Sequence, residues 1–181
     1  MTQKPKIDDA VKDLLDGENL YSALDFISYL KSNNIGIQWT NTRTWKAVKK
    51  GVPICYIKLG IVRDTGTACY TEFVDNNDSE KGSWVINPHV FGLENTGVGS
   101  KYGYEEVISN EKMIKLIYNK VRSCSNCGNT KKCAPGINVN FWGKELGNRC
   151  KFIAIPFLDP NLEELECVKM LINIYCELKS K

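Results

Sequence analysis

A chain of 181 residues, 43% hydrophobic and 25% charged, is long enough to bury a core without disulfide staples and has the composition of a globular rather than a disordered protein. Its net charge of +3 is too small to point to nucleic acid by itself. No run approaches the roughly 20 apolar residues of a membrane helix, and Met1 to Asp16 carries lysines and aspartates where a signal peptide needs an apolar centre, so a cytoplasmic location and no membrane partner are expected.

The chain opens with helical patterns. Asp8 to Leu15 sets Ala10, Val11, Leu14 and Leu15 on one side. A second helix is expected from about Ala23 to Lys31, with Ser22 as N-cap, Asp25 three residues on, and Ala23, Phe26, Ile27 and Leu30 at helical spacing. Asn33, Asn34 and Gly36 stop it. Strand character follows over Ile37 to Thr40, Trp45 to Lys49 and Pro53 to Leu59, with Lys50-Gly51 as a turn. Ala68 to Val74 and Ser83 to Ile86 are two further strands, separated by the polar loop Asp75 to Gly82. Short, closely spaced strands favour an antiparallel meander, and no βαβ alternation supports a Rossmann-like sheet.

Pro88 to Gly103 is a long irregular loop, the kind that serves as a surface connection or a binding lid. Glu105 to Val121 is expected to be a helix, with Val107, Ile114, Ile117 and Val121 on one face. Phe152 to Phe157 is a strand. Asp159-Pro160 opens the last helix, whose stripe is Leu165, Val168, Ile172 and Tyr175. The expected fold is a single α+β domain over residues 1–181. An antiparallel sheet of about five short strands packs with helices; a metal-binding cysteine segment at 122–151 and a C-terminal helix follow.

The eight cysteines divide into two kinds. Cys55, Cys69, Cys167 and Cys176 sit in apolar or periodic runs, where free cysteine behaves as a small hydrophobe. Cys124, Cys127, Cys133 and Cys150 stand among Gly, Asn, Pro and Lys, where nothing apolar accounts for them. Disulfides are rare in a reducing compartment, so these four read as metal ligands. In Cys124-Ser-Asn-Cys127-Gly128 two thiolates reach one ion from a tight turn, and the glycine lets the chain leave it at positive φ. Four thiolates on a divalent ion carry about two negative charges, which the seven Lys and Arg between Lys120 and Lys151, against Glu145 alone, offset.

A structural zinc ion is the first reading of this set, because a closed four-cysteine site leaves no position for substrate. An iron centre is the second, since cluster proteins also use irregular cysteine spacing. A redox dithiol at Cys124 and Cys127 is the third, although such pairs usually open a helix after a strand and here a helix precedes them. The lone histidine, His89, is placed beside Pro88 in the irregular loop. It could be a substitute ligand or a general base; a packed or solvated side chain is the plainer reading.

Between Ile27 and Arg63 the chain has no Asp or Glu, while Trp39, Trp45 and Tyr56 alternate with lysines and arginines. A cationic surface with stacking aromatics suits an anionic ligand or single-stranded nucleic acid. Trp39, Arg43, Trp45 and Lys49 are therefore candidate ligand-binding residues. Period-2 alternation puts Trp45, Ala47 and Lys49 on one face and Lys46, Val48 and Lys50 on the other, so tryptophans in the core beside a solvated lysine face is the competing reading. A small ligand, a protein and a nucleic acid all remain open as partners. No catalytic constellation emerges. The expected function is a zinc-stabilised scaffold or binding domain, with iron or redox handling by the cysteine segment as the alternative.

The tail combines Cys124-x-x-Cys127-Gly128, Cys133-x-Pro135-Gly136, Phe141-x-Gly143-Lys144-Glu145, Cys150, Asp159-Pro160 and Leu165-Glu166-Cys167-x-Lys169-x-Leu171. It resembles the C-terminal end of a family of uncharacterised bacterial proteins, and Trp39 to Leu59 is similar to the first half of the same proteins. The resemblance implies one α+β domain with a cysteine tail and brings no known activity.

Overall fold

The computed structural model describes residues 4–64, 71–73, 82–88, 108–121, 123–124, 136–149 and 155–178. Among these residues the elements run α1 (Ile7–Leu14), α2 (Gly17–Ser32), β1 (Gly36–Asn41), β2 (Thr44–Lys49), β3 (Val52–Asp64), β4 (Thr71–Phe73), β5 (Ser83–Pro88), α3 (Glu111–Lys120), β6 (Ile137–Phe141), β7 (Lys144–Arg149), β8 (Phe157–Leu158) and α4 (Leu162–Leu178). The fold is α+β, with an antiparallel sheet ordered β1-β2-β3-β5-β8; β4 pairs with the last residues of β3. A separate hairpin joins β6 and β7.

The register explains the core. Residues opposite one another on neighbouring strands share a face. Trp45, Ile57, Ile86 and Phe157 pair in sequence from β2 to β8 and form one buried row. Ala47, Cys55 and Pro88 form the next. Lys46, Tyr56 and Asn87 make the corresponding row on the other face, and all three are only half-buried. Helix α1 packs on β3, α2 on β1 and β5, and α4 on β3 and β5. Each large apolar side chain removed from water in this layer contributes about 1.5–3 kcal/mol.

Turn chemistry sets the strand boundaries. Lys50 and Gly51 both take positive φ, +49° and +80°, and Lys49 pairs directly with Val52. That is a two-residue loop of the type whose twist matches antiparallel strands, and glycine at its second position avoids a Cβ clash. Trp142 and Gly143 repeat the arrangement between Phe141 and Lys144.

Several boundaries differ from the sequence expectation. Helix α2 begins at Gly17 rather than after Ser22, because the apolar stripe continues back to Leu20, which packs on the core. Ser22 lies inside the helix, and its hydroxyl donates to the Asn19 carbonyl at 3.1 Å. Helix α3 begins at Glu111 rather than near Glu105, because the Asn110 side chain accepts from the Met113 amide and caps it. Helix α4 is capped by Asn161, not started by Asp159-Pro160. Asn161 Oδ1 accepts from the Glu164 amide at 2.9 Å and Glu164 answers to the Asn161 amide at 3.3 Å, a reciprocal capping box. Asp159 instead turns back to the sheet: its carboxylate accepts from the Trp84 amide at 2.9 Å and its own amide donates to the Trp84 carbonyl.

Of the strand expected over Phe152 to Phe157, residues 152–154 lie outside the described residues; Ile155 and Pro156 are not in a strand, and β8 covers Phe157–Leu158. Pro156, which has no N–H to give to a ladder, stands directly before it. The cysteine segment contains a β-hairpin that the sequence reading omitted. The loop expected over Pro88 to Gly103 and His89 lie outside the described residues, except that Pro88 closes β5. Among the described residues no helix is long and apolar enough to cross a membrane.

Candidate functional site

Among the described residues a groove of about 860 Å³ runs along β1, the edge strand. That volume falls in the range of ligand-binding clefts. One wall is β1 together with the residue before it, Ile35 to Thr40 in unbroken succession; the other is Lys4 to Asp8, with Lys31 from the end of α2. Trp45 and Lys46 complete the lining. Local sequence builds both walls. Alternation along β1 leaves Gly36 and Gln38 exposed and Ile37 and Trp39 half-buried. The opposite wall is pinned by the indole of Trp45, which is 2% exposed and donates to the Pro5 carbonyl at 3.3 Å.

The charge of the groove is one-sided. Among the described residues Lys4, Lys6, Lys31 and Lys46 line it against Asp8 alone, and Asp8 is already paired with Lys31. Trp39 presents a half-buried ring there, with its indole N–H turned to the Thr42 carbonyl at 3.0 Å. A concave, basic trough with one aromatic ring suits an anionic occupant.

The four candidate ligand residues do not form one surface. Trp39 and Trp45 pair directly across β1 and β2 and both line the groove, Trp45 from within the core. Arg43 sits in the β1–β2 turn at 9% exposure, where its guanidinium reaches the Gly60 carbonyl at 3.4 Å. Lys49 stands at the opposite end of β2, four residues or roughly 13 Å along the strand from Trp45. The groove instead uses Lys4 and Lys6, which the sequence reading passed over. Their signal was the Lys-Pro-Lys run directly before the first helix.

Of the four candidate metal ligands only Cys124 is described; Cys127, Cys133 and Cys150 lie outside the described residues. Cys124 is 9% exposed and fastened to the β6–β7 hairpin. Its amide donates to the Asn148 carbonyl at 2.7 Å, and Asn148 Nδ2 donates to its carbonyl at 3.3 Å. The neighbouring residue Ser123 bridges to Arg149, whose guanidinium donates to the Ser123 hydroxyl at 3.0 Å and to the Val121 carbonyl at 3.1 Å. Gly136 is packed so closely that an added Cβ would stand 2.6 Å from Cys124 Cβ. Among the described residues no three His, Cys, Asp or Glu side chains converge as a metal site.

The remaining polar clusters hold the fold together. Lys169 on α4 donates to Asp25 of α2 and to Glu166, both at 2.8 Å. Burial alone would lower its pKa, but these two hydrogen bonds outweigh that and the net shift is upward. Burial likewise pushes the Tyr29 hydroxyl up; it donates to Asn173 Oδ1 at 2.7 Å. Cys55 and Cys167 are fully buried free thiols, each pushed up to about 12, first by burial.

Fold and groove together describe an α+β protein with a basic trough along one sheet edge and a hairpin to which Cys124 is bound. Comparison with protein-family models, with curated proteins and with solved structures finds no match to this chain.

Proposed function

We propose that the chain is a cytosolic binding domain that takes an anionic ligand in the groove along β1, while a structural zinc ion held by Cys124, Cys127, Cys133 and Cys150 folds its cysteine segment. The observation that carries the binding reading is the charge of the groove: among the described residues four lysines and one aspartate line about 860 Å³ beside Trp39. The zinc reading rests on convergence around Cys124. Gly136, three residues after Cys133, touches it, and Asn148 and Arg149, directly before Cys150, bind it and its neighbour. Chain connectivity keeps Cys127 within about 11 Å of Cys124, and Cys133 within about 11 Å of Gly136. A bound zinc would supply folding energy to this segment, since binding of a structural metal is coupled to folding.

Two measurements test the proposal. Elemental analysis with a visible spectrum, on protein purified without added metal, should give about one zinc per chain and no colour. Iron with visible absorbance would move function into the cysteine segment, and absence of metal would remove the zinc reading. Titration with anilinonaphthalene sulfonate, a planar aromatic anion, should show saturable binding that weakens with salt and in Lys6→Glu. Binding indifferent to both would rule out the groove as an anion site.

A further inference from the structure

Strand β1 is the open edge of the sheet. Its inner side pairs with β2 from Gly36 to Asn41, and among the described residues no strand pairs with its outer side. Natural proteins normally blunt such an edge with charges, prolines or very short strands. The other end of the sheet, β8, is only two residues long. Strand β1 has six residues, Gly-Ile-Gln-Trp-Thr-Asn, with no charge and no proline. Its single device is the register irregularity between Trp39 and Asn41, which leaves Gly36 to Trp39 regular. The groove runs along this unguarded edge and is lined by every residue from Ile35 to Thr40.

We propose that the groove is a strand-addition site, in which an extended acidic peptide of a partner protein pairs with the outer side of β1 and lies between it and the Lys4 to Asp8 wall. This rests on the anion-binding reading of the same groove and names its occupant. Main-chain pairing supplies affinity in such sites, and flanking groups supply specificity. Here the flanking groups are Lys4, Lys6 and Lys46, with Lys31 partly neutralised by Asp8. Six residues of strand span roughly 20 Å, so the matching peptide is about six residues long with carboxylates on the side facing Lys4 and Lys6.

Two other occupants fit less well. A second copy of the chain would bring the same lysines against each other across the shared edge, and like charges face to face are destabilising. Single-stranded nucleic acid needs successive stacking platforms along a cationic track. Among the described residues the groove offers only the half-buried ring of Trp39, because Trp45 is 2% exposed.

The test uses the full chain and a fluorescent decapeptide of alternating Glu and Val or Thr, followed by anisotropy. Saturable binding is expected, weakened about two- to fivefold in each of Lys4→Glu and Lys6→Glu. Both lysines are exposed, so the variants should keep the wild-type circular dichroism. The same peptide with alternate backbone nitrogens methylated keeps its charge but loses main-chain donors, and it should bind at least tenfold more weakly. Hydrogen exchange should show new protection at alternate amides of Gly36 to Asn41. Equal binding of the methylated peptide, tighter binding of a ten-nucleotide single strand, or self-association that protects the same amides would each overturn the proposal. If anilinonaphthalene sulfonate binds and the peptide does not, strand addition fails alone; if neither binds, the anion-binding reading falls with it.

Discussion

Substituting Gly136 by alanine tests how tightly the β6–β7 hairpin is packed on Cys124. The new Cβ would stand 2.6 Å from Cys124 Cβ and 3.0 Å from the Asn148 carbonyl carbon, and it would also meet Asn148 Oδ1. The first two neighbours cannot swing aside as the tip of a flexible side chain would. Cys124 is held by its amide hydrogen bond to Asn148, and the second atom is backbone. Overpacking of this kind costs about 1–3 kcal/mol. For a chain of this size each kcal/mol moves Tm by roughly 2–4 °C, so a fall of about 2–12 °C follows if the hairpin unfolds with the rest. Gly147 in the same hairpin is the internal control. A Cβ there meets only Asn138 Oδ1 at 3.5 Å, an ordinary contact, and Gly147→Ala should stay within about 0.5 kcal/mol of the parent. Thermal melts give the global effect, and hydrogen exchange over Ile137 to Arg149 gives the local one if the hairpin opens on its own. Equal stability of the two variants by both measures would refute the close packing of Gly136 on Cys124.

Burial holds the Cys55 and Cys167 thiols up at about 12, so both should stay unlabelled by iodoacetamide at pH 8 in the native protein and react once urea unfolds it. Rapid native labelling, read by mass spectrometry, would contradict their burial. The native state favours the protonated thiol, so its contribution to stability is intact below the unfolded pKa of about 8.5 and is lost as pH climbs towards 12. Asn161→Ala removes one half of the α4 capping box and should cost about 1 kcal/mol in urea unfolding. An unchanged midpoint would show that Glu164, which also pairs with Lys120 at 2.6 Å, holds the helix start without it.

Most of the fold is legible from local patterns, and its exceptions have local causes. The β1 to β3 meander follows from alternation and from Lys50-Gly51, because both signals act within a few residues. The start of α2 is not legible from Ser22, since a serine with an acid three residues on imitates a cap wherever the apolar stripe is ignored; Leu20 shows that the stripe continues. The β6–β7 hairpin does have a local signal: Trp142-Gly143, between Ile137 to Phe141 and Lys144 to Arg149, forms the same two-residue turn as Lys50-Gly51. The groove could not be read at all from the basic run between Ile27 and Arg63. Its far wall comes from Lys4 to Asp8, and no local pattern says that the Trp45 indole will bind the Pro5 carbonyl 40 residues away. Alternation did place Trp45 and Ala47 on one face, and that face is the core.

The two ends of the sheet carry different work. The β6–β7 hairpin is tied to α3, because the Trp142 indole donates to the Ile108 carbonyl at 3.1 Å and its ring meets Tyr118 edge-on. Helix α3 is tied in turn to the first turn of α4 through Lys112–Glu163 and Lys120–Glu164, and Lys120 lies over the Phe157 ring of β8. The β6–β7 hairpin, with Cys124 bound to it, is thus fastened at the β8 edge, four inter-strand spacings or roughly 19 Å from β1. Recognition at β1 is left to the residues already pinned there: the Pro5 carbonyl on Trp45, Lys31 on Asp8, and the regular half of β1 paired to β2. A strand edge held so firmly on its inner side loses little further freedom when a peptide pairs with its outer side, which is the condition under which main-chain hydrogen bonds yield net affinity.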